Sequence, residues 1–374
     1  MFSSINKGYE MLWKSFIRPE RENYSIYDLG DRIFTLVDDR TYQRTDFSIV
    51  SSNGCRIQCS HFEPLEASRP EEIMPCVIYL HGNCGSRIEG LDTVPMLLPY
   101  NMTVVCFDWA GCGLSEGEYV TLGWYERYDL EILANYLIKN RRVSSIGLWG
   151  RSMGAVAAIY YASQNFPIAG LVLDSPFSSL RKLATEIGEK AAGVPNFLIK
   201  FALNRIKSTI KEKVNFDIDE LNPIERVLTC KSPSIFVAGK DDDFVPVHHT
   251  KSLYKKYAGA KQLYLVDGNH NTPRPLSFID KVARFFCSNL HCKNSSNGRI
   301  MASILSFIKD QEEGSGKEEI TVPNTITITR KAMEEYDEEW IQIQKEYKRA
   351  HSAPTTKSTQ ESDTLSHEKF KDAI

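Results

Sequence analysis

The sequence predicts a mostly parallel, eight-stranded, doubly wound α/β sheet with a small helical insertion above it. Three observations carry that expectation. From residue 45 onward, short apolar runs alternate with stretches of helical length. The pentapeptide Gly150-Arg151-Ser152-Met153-Gly154 lies between one such run and a run of small apolar residues, giving strand, sharp turn and helix. Titratable residues recur just beyond strand ends, where open α/β sheets carry their sites.

In chain order, residues 1–44 are a lead-in. Phe2, Ile5, Tyr9, Leu12 and Phe16 recur at spacings of three and four, with Lys7, Glu10 and Lys14 elsewhere on the wheel, so one amphipathic helix is expected, ended by Pro19. Packing on the body or on a partner subunit is the first reading of that helix. Weak, reversible contact with a membrane through Phe2, Trp13 and Phe16 is the second. Phe2 follows Met1 where myristoylation requires glycine.

The main domain is expected over 45–290. Asp46 to Ser51 and Cys55 to Phe62, split by Ser52-Asn53-Gly54, read as a hairpin. Buried strands follow at Pro75 to Leu80, Met102 to Asp108, Ser144 to Trp149, Ala169 to Asp174, Pro233 to Ala238 and Gln262 to Val266. Helices are expected at about 86–99, 122–140, 153–165, 247–258 and 275–289. The long excursion at about 178–225 mixes Leu183, Ile187, Phe197, Leu198, Phe201, Ile206 and Ile210 with Lys200, Arg205, Lys207, Lys211 and Lys213. It reads as a cap, apolar beneath and basic above.

Residues 291–374 form a polar tail, and its part from 311 to 374 holds 14 acidic and 9 basic residues with few large apolar side chains, so most of it is expected to be disordered. One amphipathic helix is expected at about 330–350, where Met333, Tyr336, Trp340, Ile343 and Tyr347 are periodic and fit docking on the body or a protein partner.

Composition excludes several classes. Forty-five basic residues against 48 acidic give a net charge of −3 with no dense basic block, so nucleic acid is not expected as a partner. Nine cysteines, several in apparent core strands, read as reduced thiols; with no signal-peptide pattern and no long apolar run, a cytoplasmic protein is expected. No metal or other cofactor is expected, because no ligand spacing occurs and the adjacent His248 and His249 should point different ways.

The residue types at the strand ends suit acyl transfer. A serine on a strained strand-to-helix turn projects its oxygen, and Gly150 and Gly154 leave room for the bend. Ser152 is thus the expected nucleophile. His270, in Asp267-Gly268-Asn269-His270-Asn271 after the last strand, is the expected base; His61, His248 and His249 read as structural and His81 as positioning. Among Asp241, Asp242 and Asp243, the middle residue Asp242 is the expected orienting acid, with Asp174 as runner-up. The oxyanion hole is expected from the backbone N–H groups of Met153, at the start of a helix, and Asn83, in the glycine-flanked turn His81-Gly82-Asn83-Cys84-Gly85-Ser86. The substrate would then be a small or acylated ester, thioester or amide. A peptidase of the same fold and a catalytically silent binding protein are the competing readings.

The segments His81-Gly82-Asn83, Phe107 to Ser115, Gly150 to Gly154, Gly239 to Pro246 and Gly268 to Asn271 together resemble the α/β-hydrolase superfamily, near its serine-aminopeptidase-like and depalmitoylating-esterase-like members. The resemblance spans about 45–290 and implies a serine hydrolase with Ser152, Asp242 and His270 at the triad positions. It implies a structural turn at Asp108. The chain lacks the N-terminal cysteine cluster of depalmitoylating members. Its serine differs from the elbow aspartate of epoxide hydrolases and dehalogenases of this fold.

Overall fold

The computed structural model describes residues 2–36, 40–164, 166–192, 196–293, 319–322 and 326–329. Its elements run α1 (Phe2–Ile17), β1 (Ile33–Thr35), β2 (Thr41–Val50), β3 (Arg56–Pro64), β4 (Met74–Leu80), α2 (Val94–Leu97), β5 (Thr103–Phe107), α3 (Glu126–Asn140), β6 (Val143–Arg151), α4 (Met153–Ala162) and β7 (Gly170–Asp174). Then come α5 (Leu180–Ala192), α6 (Asn196–Val214), α7 (Pro223–Arg226), β8 (Ser234–Gly239), α8 (His248–Lys256), β9 (Lys261–Val266) and α9 (Leu276–Asn289). A separate antiparallel pair, β10 (Glu319–Val322) and β11 (Ile326–Thr329), lies in the polar tail and was not foreseen there. The helix expected at 330–350 lies outside the described residues.

The main sheet has nine strands in the order β1-β2-β3-β5-β4-β6-β7-β8-β9. β1 to β3 are antiparallel, β3 joins β5 antiparallel, and every pairing from β5 to β9 is parallel. The eight expected strands are all present; the ninth, β1, is a three-residue edge strand too short to leave a periodic signal. Parallel strands buried on both faces need continuous apolar runs, and β4, β5, β7 and β8 are buried at every residue. One face carries α1, α3, α4 and the cap helices α5 and α6; the other carries α2 and α9.

The stretch 86–99 departs from the expected helix. It forms a 3₁₀ segment (Arg87–Thr93), the single turn α2 and another 3₁₀ turn (Leu98–Tyr100), because Pro95 and Pro99 interrupt the helical hydrogen bonds. The wheel of α1 is also rotated from expectation. Trp13 and Ile17 are buried and Phe16 half-buried, so Trp13 and Phe16 pack on the body, whereas Leu12 is 51% exposed. In α6, Phe197 and Phe201 face solvent instead of lying beneath the cap.

One buried carboxyl makes a pH-dependent contribution. Burial pushes Asp129 on α3 up from 3.8 to about 8, and neighbouring Glu126 adds to the rise against a hydrogen bond from Ala110. Between these values the folded chain retains a proton that the unfolded chain releases, so stability falls as pH rises from about 4 to about 8. Asp129→Asn should remove this loss. Its stability gain over wild type, read by urea unfolding, should grow by on the order of 4 kcal/mol between pH 5 and pH 8. A gain that is the same at both pH values would contradict the assignment.

Candidate active site

Ser152 stands between β6 and α4 with φ 50° and ψ −112°, a conformation that L-residues rarely adopt. Such strain costs on the order of 1–3 kcal/mol and persists only where packing imposes it. Here α4 is buried along its whole length, and Ser152 N donates to Asp174 O at 2.8 Å. Any larger residue flanking the turn is excluded: a Cβ on Gly150 would lie 2.5 Å from the Gly154 carbonyl, and one on Gly154 would collide with Leu80 O.

β8 and β9 bring the next pair together. His270 Nδ1 and Asp242 Oδ2 are 2.7 Å apart, both residues being buried. Asp242 Oδ1 accepts from Val245 N at 2.7 Å and Phe244 N at 3.1 Å. Burial raises the Asp242 carboxyl, but the His270 hydrogen bond and charge, with these two N–H groups, outweigh it and hold the pKa below the ordinary value. The ionised carboxylate can only accept, so His270 carries its proton on Nδ1 and leaves Nε2 as acceptor. Ser152 and His270 line one cavity. No hydrogen bond joins them among the described residues, a looseness common in sites without substrate.

Asp241 and Asp243 are exposed, in keeping with the choice of the middle aspartate. Asp174 is committed elsewhere: Arg274 grips both its oxygens at 2.7 and 2.8 Å. Asp108 holds a turn, accepting from Arg87 N, Leu114 N and the Tyr24 hydroxyl.

In the loop after β4, buried His81 accepts from Trp109 N through Nε2 at 3.2 Å, so its Nδ1 proton goes to Gly82 O at 2.8 Å. Gly82 N is taken by Glu89 Oε2 and Gly85 N by Gly82 O, which leaves Asn83 and Cys84 as the loop's donors beside Ser152. Met153 N begins α4, and a first-turn N–H has no partner within its own helix.

Two braces were not anticipated. Arg151, just before Ser152, donates to His270 O at 2.7 Å and to Asn271 Oδ1 at 3.1 Å, tying the Ser152 turn to the His270 loop. Glu89 receives Gly82 N, the Tyr79 hydroxyl and Arg151. Its signal in the sequence was Ser86-Ile88-Glu89 at helix-start spacing, where Ser86 accepts from Ile88 N.

The expectation that His248 and His249 diverge is corrected: they stack at 4.5 Å, and both Nε2 atoms reach Glu186 of α5, at 3.0 and 2.9 Å. These three residues are the one cluster of potential metal ligands among the described residues. The tautomer argues against a metal there. Ser178 N–H points at His249 Nδ1 from 3.1 Å, so Nδ1 holds the lone pair and Nε2 the proton that goes to Glu186. A metal on Nε2 would need the reverse. The cluster fits a latch between α5 and α8. His61, pushed down to about 4 by burial, is likewise structural.

Two cavities meet at Ser152. One, of about 1120 Å³, is lined mainly by polar residues, among them Glu20, Glu22, Glu89, Arg151, Asp243 and His270. The other, of about 640 Å³, is apolar and runs beneath the cap between Leu12 and Phe16 of α1, Met153, Leu183, Ile199 and Ile206. Asn83, Ser152 and Phe244 belong to both.

Comparison with known proteins accords with this architecture. A family model described as serine aminopeptidase, S33, matches residues 72–218. The uncharacterized protein YqkD of Bacillus subtilis is 28% identical over 233 residues, which cover 61% of this chain and 73% of YqkD. The alpha/beta hydrolase domain-containing protein WAV2 of Arabidopsis thaliana is 25% identical over 218 residues, 57% of this chain and 66% of WAV2. Among solved structures, the Pyrococcus furiosus esterase Pf2001 superposes with a TM-score of 0.56 at 23% identity, covering 73% of this chain and 99% of that one. No described helix is long and apolar enough to cross a membrane. With its parallel sheet, its strained serine turn after β6 and these similarities, the chain has the α/β-hydrolase fold, and its residues 72–218 resemble the serine aminopeptidase family.

Proposed function

We propose that the protein is a serine hydrolase that cleaves a carboxylic ester or thioester of a medium- to long-chain acyl group. The observation that carries this is the placement of Ser152 at the junction of an apolar cavity and a polar one. An acyl chain fits the first, and a polar leaving group the second. Ser152 Oγ attacks the carbonyl carbon while His270 Nε2 takes its proton, and Asp242 stabilises the imidazolium. The oxyanion is held by the Met153 and Asn83 N–H groups. The C–O or C–S bond then breaks, with the leaving group taking the His270 proton. Water, deprotonated by His270, splits the acyl-enzyme and restores the Ser152 hydroxyl.

Charge in the outer chamber favours a neutral or cationic leaving group, since Glu20, Glu22 and Asp243 line it while Glu89 is paired with Arg151. Its two arginines are engaged, Arg21 by the carbonyls of Ser115 and Gly117 and Arg151 by His270 O. The same carboxylates lend support to the second reading, a peptidase that holds a substrate ammonium. Matched aminoacyl anilides and fatty esters separate the two.

The test is a chain-length series of p-nitrophenyl esters on wild type and Ala184→Trp, which fills the cavity wall. Each buried methylene is worth about 0.8 kcal/mol, so denying room to four of them should lower kcat/KM for long chains by on the order of 10²-fold. Short esters should be little affected. Equal loss on every chain length, or anilide turnover exceeding ester turnover, would count against the acyl reading.

A further inference from the structure

The rim of the apolar cavity is itself apolar. On α1, Met11 is 73% and Leu12 51% exposed; on α6, Phe197 is 68%, Leu198 45% and Phe201 64% exposed. Leu12 and Leu198 also line the cavity, so the two exposed patches meet at its edge. This exposure is not loose packing. The opposite sides of the same helices bury Trp13, Ile17, Ile199, Leu203 and Ile206. The helices are clamped together by the Tyr9 hydroxyl, 2.9 Å from Arg205 O and 2.6 Å from Thr209 Oγ1, and by Lys213 Nζ, 4.5 Å from the Trp13 ring.

Lysines flank the patch. Met11 lies between Lys7 and Lys14 at spacings of four and three, and Lys200 lies between Phe197 and Phe201. Lys7 and Lys200 are exposed and form no ion pair among the described residues. Lys14 pairs with Glu10 at 2.6 Å, and on α6 Lys207 and Lys211 pair with Asp217 and Asp219, which leaves Lys200, Arg205 and Lys213 against the single acid of that helix, Glu212. Apolar side chains flanked by Lys7 and Lys200 beside an acyl-sized cavity match the chemistry of a bilayer surface, with hydrocarbon beneath anionic headgroups.

We propose that α1 and α6 dock on an anionic lipid bilayer, with Met11, Phe197 and Phe201 entering the acyl layer and Lys7 and Lys200 meeting the headgroups. The cavity then opens toward the membrane, and an acyl chain passes from lipid to Ser152 without crossing water. The docking face rests on the hydrolase reading only for the identity of what enters the cavity; binding to the surface is separable from turnover.

The test uses the full chain and sucrose-loaded vesicles of phosphatidylcholine, with and without roughly a third phosphatidylserine. Wild type and Ser152→Ala should both sediment with the anionic vesicles and be released by high salt. Phe197→Asp combined with Phe201→Asp should lower the partition coefficient about tenfold or more, and Lys7→Glu with Lys200→Glu should remove the preference for phosphatidylserine. Both variants should hydrolyse a soluble butyrate ester at the wild-type rate, showing that they are folded. Vesicle binding without ester turnover would defeat the hydrolase reading and leave the docking face standing. Turnover without vesicle binding, or undiminished binding by the Asp variant, would overturn the docking proposal. A wild-type dimer that the Asp variant converts to monomer would assign the face to a second copy of the chain and overturn it equally.

Discussion

Ser152→Ala is expected to lower kcat for a fatty p-nitrophenyl ester by at least about 10⁴-fold, and His270→Ala by a similar factor. The double variant should lose no more than either single one, because nucleophile and base act as a unit. The fold should survive: alanine fits the same turn, which is set by Gly150, Gly154 and the burial of α4, not by the hydroxyl. Thermal unfolding of each variant checks that. Retention of a tenth of the wild-type turnover by Ser152→Ala would mean that another group attacks the carbonyl.

Asp242→Asn should cost about 10⁴-fold in kcat with little change in KM. The carboxylate accepts the His270 Nδ1 proton on one oxygen and two backbone N–H groups on the other. An amide oriented to keep those two N–H bonds turns its NH₂ toward Nδ1, selecting the wrong imidazole tautomer. The contrast is Asp174→Asn. Asp174 neutralises Arg274, whose side chain is only 7% exposed, so that change should destabilise the fold by about 3–5 kcal/mol. Turnover per folded molecule should stay within about tenfold of wild type. Stopped-assay kinetics and urea unfolding on both variants distinguish the roles; a kinetic loss in Asp174→Asn equal to that of Asp242→Asn would reopen the choice of acid.

The parts of this molecule legible in the sequence are those that depend on local pattern. Parallel strands buried on both faces leave unbroken apolar runs, so β4, β5, β7 and β8 could be placed to within a residue or two, as could β6 and the half-buried edge strand β9, and the glycine-flanked serine marks its own turn. Asp242 is singled out as the middle of three aspartates, three residues past Gly239 and three before Val245, and it is the buried one of the three while Asp241 and Asp243 are exposed. What was illegible depends on residues distant in sequence. Tyr9 meets Arg205 and Thr209 about two hundred residues away, and Lys213 lies over the Trp13 ring; such long-range contacts hold α1 as a wall of the apolar cavity with Trp13 inward. His248 and His249 converge because Glu186, on a cap helix, lies where both rings can reach it. The helical pattern at 86–99 was overridden by two prolines whose effect on hydrogen bonding exceeds that of apolar spacing.

The central claim is that Ser152 is an activated nucleophile, and its most direct measurement is intact-mass analysis of the full chain after exposure to a fluorophosphonate, with the adduct mapped by peptide. The expected result is a single phosphonyl adduct on the peptide containing Ser152, absent in Ser152→Ala and formed far more slowly in His270→Ala and Asp242→Asn. No adduct on wild type, or one on a peptide lacking Ser152, would contradict it.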